Sequence, residues 1–465
     1  MQRALLILLV AASYLLLAGG RTWTLGPLLA LATLAVLAAP TRTLQFRPSW
    51  RLLDAALIGI VLAMVVQLIP LPAAMVNTAS PAAARVRAAL QFTPLTPEPG
   101  DLITLSVDPA STAAALGVVT LGILSFWVAR GLFSIGGHTR AFCRSLAVIG
   151  ALAAVLALVQ KAVAPKLLLF TIEPLARSTN PFGAFTNRNH MAAWLLLIAA
   201  PLVGYLVARM RIHDEDFRGH WRPWLRHFLV SGMALTAIAI AIVLGVLLAT
   251  LSRSAVVGLG AAAVAGWWLG KSRMSVERTN LPVRLGAIGA ALLAAMVFID
   301  LDGWATRLQE SFEVPGSSFS RMTIWQETLP VIRDFWFTGT GAGTYSDAMT
   351  QYQQSRVWVG SMQRWAHFNN AHSHYLQLVS EGGVLLAIPA ILAVVTFAKL
   401  ARASILADKG EMFWVRVGAA AGLAGLAVQS VFEVALTLPA NAVLAGVLAG
   451  LVLYQREAPY QAAKC

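Results

Sequence analysis

Residues 229–251 have the sequence LVSGMALTAIAIAIVLGVLLATL, in which no side chain is charged. A helix of this length is long enough to cross a hydrocarbon core of about 30 Å. Only Ser252 and Arg253 separate this run from the next apolar run, residues 254–270. Two uncharged runs joined by so short a connection predict a transmembrane helical hairpin.

Apolar runs of this kind continue along the whole chain. Of its 465 residues, 58% are hydrophobic and 12% are charged, whereas a soluble domain has about 25% charged residues. The composition therefore excludes a water-soluble fold, and we expect one polytopic, all-α membrane domain over residues 1–465 with about 12 transmembrane helices. The predicted spans are residues 4–19, 24–40, 52–71, 111–129, 145–163, 190–208, 229–251, 254–270, 285–300, 375–398, 415–432 and 435–454.

The first span also resembles a signal peptide. Arg3 precedes its apolar run, and Ala18, Gly19 and Gly20 follow it as the kind of small-residue sequence that signal peptidase cleaves. The second span begins almost at once, which favours a retained first helix.

The basic residues predict the orientation of the spans. The chain carries 35 Lys and Arg residues against 21 Asp and Glu residues, a formal net charge of +14. One set of alternate loops holds 13 of these 35 basic residues, which leaves 22 for the other set. Cytoplasmic loops are enriched in Lys and Arg, so the richer set and both termini are predicted to be cytoplasmic. Topology thus explains the basic surplus, and no nucleic-acid partner is needed.

Three connections on the opposite, outer side are longer than a turn requires: residues 72–110, 164–189 and 301–371. The third is predicted to be a large periplasmic loop subdomain between the ninth and tenth spans, because long ordered loops tend to carry function. Within it, Arg321 to Phe335 is predicted to form a short amphipathic helix, and Gly339 to Gly343 to break the chain. Its tryptophans either stack on sugar rings or form an interfacial aromatic belt, and both interpretations stay open.

Two arginines lie at predicted outer ends of spans, where basic residues are less common. Arg188 belongs to the polar segment Asn180–His190, which enters the sixth span. There it either snorkels to lipid headgroups beside capping side chains, or binds an anion together with Asn187, Asn189 and the amides of the helix N-terminus. Arg253 lies in a hairpin too short to need a basic residue, which favours a functional role.

A third polar cluster, Asn369 to His374, leads into the tenth span. Histidine can serve as a base near neutral pH, although a pair of interfacial histidines without a catalytic role is an ordinary alternative. Together the three clusters offer two fixed cations and one base on one face of the membrane. Such a set suits transfer from a diphosphate-linked donor, because arginine grips phosphate oxygens bidentately and neutralises a leaving group.

Other polar segments resemble metal or phosphate sites, and each has an ordinary structural alternative. Asp300 and Asp302 resemble a metal-binding carboxylate pair, but Asp302 and the glycine after it are also a turn sequence. Residues 213–216, His-Asp-Glu-Asp, resemble a hard-metal cluster but lie among arginines on the cytoplasmic side. The segment Gly339 to Gly343 resembles a phosphate cradle without the lysine of a P-loop. We therefore predict no metal site and no cofactor.

These clusters, in this order, resemble the O-antigen ligase and polymerase family, integral-membrane transferases of undecaprenyl-diphosphate-linked glycans. The resemblance covers about residues 180–450. It rests on Gly183–Ala193, Leu251–Ser254, Ser320-Arg321 with Trp325, Gly339–Tyr345, and His372-Ser373 followed after nine residues by Gly383. Leu386 departs from the Gly, Thr or Tyr that the family often has three residues after that glycine.

The resemblance implies a C-type glycosyltransferase architecture in the bacterial inner membrane, with an active site that faces the periplasm. It further implies an inverting transfer that needs no metal. Carried over to this chain, Arg188 and Arg253 hold the donor diphosphate, and His372 deprotonates or orients the acceptor hydroxyl.

The same resemblance implies the substrates and a role for Arg321. Arg321 is a weaker candidate for donor binding or loop anchoring, and Asn187, Asn189 and His374 are additional substrate-binding candidates. The implied donor is an undecaprenyl-diphosphate-linked glycan. The acceptor is lipid A-core oligosaccharide in a ligase, another lipid-linked repeat in a polymerase, or a glycoprotein.

A flippase or exporter of polyprenyl-linked glycans is the alternative from another class. It too would need many spans, basic residues and contact with membrane lipids. Ion-coupled transporters, however, usually keep ionisable residues near the membrane midplane, and the predicted spans hold few. A transporter would not need a histidine beside two outward arginines.

Helical periodicity and motif spacing favour different histidines. If the tenth helix already includes residue 372, His374 shares a face with Gln377 and Glu381, so that Glu381 supports His374 through Gln377. The spacing to Gly383 instead favours His372, at the mouth of the helix. We predict that His372 is the base and that His374 and Glu381 are supporting polar residues.

The predicted topology can be tested by cysteine labelling. In a variant without the two native cysteines, Ser317→Cys in the 301–371 loop should react with a membrane-impermeant maleimide added to intact spheroplasts. A cysteine in the 208–228 loop should react only after permeabilisation. The opposite pattern would overturn both the topology and the periplasmic location of the site.

Overall fold

The structure, a computed structural model, consists mostly of α-helices, as the sequence predicts. It describes residues 1–38, 48–90, 98, 100–135, 137–175, 180–212, 221–276, 321–355, 358–359, 364–365 and 367–455. The helices are α1 (Gln2–Leu15), α2 (Thr22–Leu37), α3 (Arg51–Leu68), α4 (Ala73–Ala79), α5 (Ala83–Leu90), α6 (Pro109–Leu132), α7 (His138–Val163), α8 (Arg188–Ile212), α9 (Trp221–Val230), α10 (Met233–Ala249), α11 (Arg253–Val276), α12 (Arg321–Asp334), α13 (Tyr345–Tyr352), α14 (His374–Ala407), α15 (Phe413–Gln429) and α16 (Pro439–Leu453).

Short elements join these helices. Two antiparallel pairs of two-residue strands are formed, β1 (Leu71–Pro72) with β2 (Leu102–Ile103) and β3 (Trp358–Val359) with β4 (Arg364–Trp365). Single 3₁₀ turns occupy Leu17–Gly19, Pro48–Trp50 and Ala435–Thr437.

Each predicted span overlaps a described helix, except residues 285–300, which lie outside the described residues. The prediction of one continuous helix over residues 229–251 is wrong at its start, because residues 229–230 end α9 and α10 begins only at Met233. By length and apolar composition, five of the described helices can cross a membrane, or six if the bent pair α9 and α10 counts as one span. The pair is bent by 72°, at Ser231 and Gly232. Helices α1, α2, α15 and α16 are apolar but have at most 17 residues. The fold is therefore an all-α membrane protein, and the total of about 12 spans stays a prediction.

Helix α8 lies at the centre of the bundle, with most of its side chains buried. It packs against α15 through glycines: a Cβ on Gly204 would lie 2.1 Å from the carbonyl oxygen of Trp414, and one on Gly418 would lie 2.4 Å from that of Ala200. Small residues let helix backbones approach closely, and such packing is a main source of attraction between helices in lipid. No larger side chain fits at either glycine without moving the two helices apart.

The starts of three helices meet the connection between α15 and α16 at one end of the bundle. In α8, the carbonyl oxygen of Asn189 accepts a hydrogen bond from Gln429 Nε2 at 3.2 Å. In α11, a Cβ on Gly258 would lie 3.2 Å from the Cβ of Gln429. In α14, the His374 N–H donates to the carbonyl oxygen of Ser430 at 2.8 Å. We call this end of the bundle the site end.

The described parts of residues 72–110 and 321–372 pack together at the site end as a second layer, which we call the cap. Helix α12 confirms the predicted amphipathic helix from Arg321 onwards. Residues 301–320 of the predicted 301–371 subdomain lie outside the described residues. The cap has its own buried apolar cluster, formed by Ala82, Ala83, Val86, Val107, Ile324, Val331, Phe335, Tyr345, Ala348, Met349, Phe368 and Ala371.

Helix α14 is interrupted at Gly383, which has a positive φ of +53°. The connection between α12 and α13 fills this break. The Val384 N–H donates to the carbonyl oxygen of Trp336 at 2.8 Å, and the Gly341 N–H donates to that of Glu381 at 2.9 Å. Backbone groups at membrane depth must find partners within the protein, so the cap is what makes the break in α14 stable.

A buried ion pair joins α3 to α6 at the opposite end of the bundle. Asp54 Oδ1 and Oδ2 accept hydrogen bonds from Arg130 Nη1 and Nη2 at 3.0 and 3.1 Å, and both side chains are at most 5% exposed. Trp127 Nε1 also donates to Asp54 Oδ1, and the Arg130 guanidinium lies 4.3 Å from the ring centre of Trp50. Every charge in this group is therefore compensated.

Substitution of Asp54 should show how much the ion pair between Asp54 and Arg130 contributes to the stability of the protein. Asp54→Asn leaves the Arg130 charge buried and uncompensated, and we expect it to destabilise the protein by about 3–5 kcal/mol, seen as a clearly lower unfolding temperature of the detergent-solubilised protein. The matched control is Glu411→Gln, because Glu411 pairs with Arg140 at an exposed position, where ion pairs contribute little. Equal effects of the two substitutions would contradict this explanation.

Candidate active site

A buried carboxylate, Glu433, lies at the site end in the connection between α15 and α16, with a side chain only 1% exposed. Its Oε1 accepts hydrogen bonds from Asn189 Nδ2 at 2.6 Å and from Arg321 Nη2 at 2.8 Å. Its Oε2 faces Nδ1 of His372 at 3.9 Å. A buried charge is tolerated only when it is paired and hydrogen-bonded, so Glu433 draws together residues from α8, α12 and the turn before α14.

His372 occupies the turn that connects the cap to α14. Its φ is +46°, a region that few residues other than glycine adopt. Two hydrogen bonds hold this turn: the His372 N–H donates to Asn370 Oδ1 at 3.1 Å, and Trp325 Nε1 donates to the carbonyl oxygen of Ala371 at 3.0 Å. The imidazole is 32% exposed. Because Nδ1 faces Glu433, Nε2 is the ring nitrogen that remains for a substrate.

The distance between His372 Nδ1 and Glu433 Oε2 is longer than a hydrogen bond. Neither atom has another hydrogen-bond partner within the described part of the chain. Catalytic hydrogen bonds are often long in the free enzyme and shorten when substrate binds.

The electrostatic surroundings keep Glu433 ionised. Burial raises the pKa of its carboxyl, but His372, His190 and Arg321 together outweigh burial and hold the pKa below its ordinary value. The interactions of this carboxylate therefore stabilise the fold at neutral pH and are lost only when the pH falls through the lowered pKa. A carboxylate of low pKa is a weak base, so Glu433 is suited to stabilise a positive charge beside it.

The structure gives three of the predicted substrate-binding residues definite contacts. Asn187 caps α8, because its Oδ1 accepts a hydrogen bond from the Asn189 N–H at 2.9 Å. Asn189 and Arg321 both donate to Glu433, and the Arg321 side chain stays 38% exposed. Their predicted contacts with substrate stay predictions.

Arg188 is the first residue of α8 and is half-buried. A second cation lies close to it, since the charge of Arg188 acts on Lys161, whose Nζ donates to Asn180 Oδ1 at 2.9 Å. Asn180 in turn forms a β-bridge with Asn187. The positive end of the α8 dipole adds to these charges, which makes this corner of the site end suitable for an anion.

Arg253 is the first residue of α11 and is exposed. The tight connection before it confirms the predicted hairpin and includes Leu251 at a φ of +54°. Arg253 lies about one and a half helical turns before Gly258, which packs beside Gln429. The structure thus brings Arg253 to the same end of the bundle as Arg188, as the sequence predicts.

His374 is the first residue of α14, so the helix does not extend back to residue 372. The pairing of His374 with Glu381 is not formed. Glu381 Oε1 instead accepts hydrogen bonds from the Tyr345 N–H and Gln377 Nε2 at 3.1 and 3.0 Å, and Oε2 accepts one from the Gly343 N–H at 2.8 Å. His374 Nδ1 is buried and makes no hydrogen bond with the described residues.

The structure describes some of the segments that resemble metal or phosphate sites and not others. The amides of Gly341 and Gly343 donate to Glu381, so this loop is not arranged as a phosphate cradle. No group of three or more His, Cys, Asp or Glu side chains that could hold a metal ion occurs among the described residues. Asp300, Asp302 and residues 213–216 lie outside them.

Sequence reasoning missed Glu433, although a signal was present. Glu433 is the only charged residue between the predicted spans 415–432 and 435–454. A charged residue is unexpected in so short a connection, and this argument, which selected Arg253, also indicates that Glu433 needs a partner. His190 was also missed as a site residue: it is buried and close enough to Glu433 and His372 for their charges to act on it.

A model of the O-antigen ligase family matches residues 238–391. This region contains Arg253, Arg321 and His372, while Glu433 lies beyond it. No curated protein matches the chain. The match agrees with the motifs recognised in the sequence, and over residues 238–391 the chain is similar to the O-antigen ligase family.

Proposed function

We propose that this protein is a metal-independent, inverting glycosyltransferase that moves a glycan from undecaprenyl diphosphate to an acceptor hydroxyl at the periplasmic face of the bacterial inner membrane. The observation that carries the proposal is the contact of His372 with the buried Glu433, at the end of the bundle where Arg188 and Arg253 start their helices. The match to the O-antigen ligase family supports this class of reaction.

His372 acts as the general base. The Glu433 carboxylate favours the proton on Nδ1 of the imidazole, which leaves the lone pair on Nε2. The acceptor hydroxyl gives its proton to Nε2 while its oxygen attacks the anomeric carbon of the donor sugar. Glu433 then stabilises the imidazolium, as the carboxylate of a catalytic triad does.

The leaving group determines the role of the arginines. As the new glycosidic bond forms, the bond between the anomeric carbon and the diphosphate oxygen breaks, and its electron pair goes to the diphosphate. Attack from the face opposite the diphosphate inverts the anomeric configuration. Arg188 and Arg253 bind the diphosphate and stabilise its growing charge, which is the work that a divalent metal does in other transferases.

We infer that the acceptor is lipid A-core oligosaccharide, which makes the protein a ligase. The family model that matches the chain supports this choice by its description. In this proposal the 301–371 segment is a periplasmic subdomain that receives the acceptor. A null strain tests the choice: a ligase defect removes glycan chains from lipid A-core, whereas a polymerase defect leaves chains of a single repeat.

The assignment of the base is tested by two neighbouring histidines. With purified full-length protein, a lipid-linked donor and the acceptor, His372→Ala should lower transfer about 100-fold or more, because a general base contributes about 10²–10⁴-fold. His374→Ala should retain most of the activity, since its ring makes no contact with Glu433. EDTA should leave wild-type transfer unchanged.

Two results would contradict this assignment. An inactive His374→Ala protein beside a His372→Ala protein with more than about a tenth of wild-type activity would reverse the roles of the histidines. Activity lost in EDTA and restored by magnesium or manganese would make Asp300 and Asp302 candidate metal ligands.

The arginines are expected to act through geometry as well as charge. Arg188→Ala and Arg253→Ala should each lower transfer about 100-fold or more, while the protein still reaches the membrane. The Lys variants should fail as well, because an ammonium cannot replace the planar fork of a guanidinium. Arg333→Ala is the control, since Arg333 is 79% exposed in the cap and pairs with Asp334. Near-normal transfer by either Lys variant would mean that the arginine only anchors to headgroups.

A further inference from the structure

A chain of hydrogen bonds runs along the start of α14 from the cap to the turn that carries the base. Glu381 accepts hydrogen bonds from the backbone N–H groups of Gly343 and Tyr345 and from Gln377 Nε2. Gln377 Oε1 accepts a hydrogen bond from the Ala371 N–H at 3.2 Å. Both side chains are buried, with exposures of 7%, so water does not compete freely for these bonds.

The carboxylate determines which way the Gln377 amide faces. Among the described residues, the Gly343 and Tyr345 N–H groups donate to the two carboxyl oxygens of Glu381, so each oxygen acts as an acceptor. Gln377 can therefore bond to Glu381 only through Nε2, which turns Oε1 towards Ala371. A flipped amide would place two acceptors together at Glu381 and two donors together at Ala371. Glu381 thus prevents the flip.

Ala371 directly precedes His372, the residue at a φ of +46°. Backbone conformations of this kind persist only where the surroundings hold them. The Ala371 N–H is held by Gln377 and its carbonyl oxygen by Trp325, so both polar groups of this residue are fixed. The direction in which the His372 ring leaves the backbone depends on that fixed turn.

We propose that Gln377 and Glu381 are positioning residues that hold the His372 turn so that the imidazole faces Glu433. Neither side chain touches the reacting atoms; both act through the backbone of Ala371. Because Glu381 is bonded to the cap, the fold of the cap controls the geometry of the base. The inference rests on the proposed function, in which His372 is the base, but its structural part has a test that needs no transfer activity.

Hydrogen exchange of the Ala371 amide in the full-length protein tests the structural part. Gln377→Met keeps the side-chain length but removes the acceptor, and it should speed exchange at Ala371 about tenfold or more. Exchange in the middle of α8 should stay unchanged, which shows that the variant is folded. Ser380→Ala is the matched control, because the Ser380 hydroxyl donates to the Gln377 carbonyl oxygen and is outside the chain. Unchanged exchange at Ala371 in Gln377→Met would overturn the proposal.

Kinetics test the consequence for the base. Gln377→Met should lower kcat about tenfold or more, because a small misplacement of a reacting group is costly, while the KM for the donor changes less than about twofold. Gln377→Glu places a second carboxylate opposite that of Glu381, and its kcat should be as low as that of Gln377→Met. Adding Glu381→Gln to Gln377→Glu restores a donor opposite an acceptor and should recover part of kcat. A merely structural role would change the amount of folded protein and would leave the kcat of the folded protein unchanged.

The outcomes separate this inference from the proposed function. If His372→Ala is inactive but Gln377→Met transfers at the wild-type rate, the positioning role is wrong and the proposed function stands. If the exchange result is as expected but the wild-type protein transfers no glycan, the proposed function is wrong and the structural link between the cap and the His372 turn stands.

Discussion

The negative charge of Glu433 is the constraint on which the site end depends. A carboxylate buried in an apolar bundle is costly unless cationic or donor groups surround it. Here those groups come from the start of α8, the start of α12 and the turn before α14. None of these segments can shift without weakening a contact with the charge. Interactions of this kind are strong because the surrounding dielectric constant is low, so one side chain sets the relative positions of four parts of the chain.

The break in α14 divides this helix into two parts with different roles. The part before Gly383 is bonded to the cap and carries the turn with His372 at its start. The part after Gly383 runs along α3 with much of its surface exposed, as suits a helix in contact with lipid. The cap supplies the hydrogen bonds that the break would otherwise leave unmade. The end of α14 next to His372 can therefore be held rigidly while the rest of the helix meets a fluid environment.

Hydrophobic patterning was enough to predict most of the helices, because the bilayer requires a long apolar run for each span. Hydrophobic patterning also predicted that Arg188 and Arg253 lie at helix ends, since the helix ends follow from the same apolar runs. Hydrophobic patterning could not predict where α14 starts. Periodicity shows which residues share a helix face once a helix has formed, but whether residue 372 belongs to the helix depends on hydrogen bonds to the cap. Nor could it place Glu433, whose partners Arg321 and Asn189 lie 112 and 244 residues away in sequence. Which residues cover a helix end is determined by the tertiary structure, not by the sequence near that end.

The distance of 244 residues between Asn189 and Glu433 has a consequence for the synthesis of the protein. A ribosome that adds about 5–20 residues per second needs about 10–50 s to go from one to the other. During that interval α8 is already made, but α15, which covers its glycines, is not. Asn189 at the start of α8 is then without the Glu433 carboxylate to which it donates, and His372 is without its contact to the same group. The site end is therefore complete only when the segment with Glu433 has joined the helices made before it.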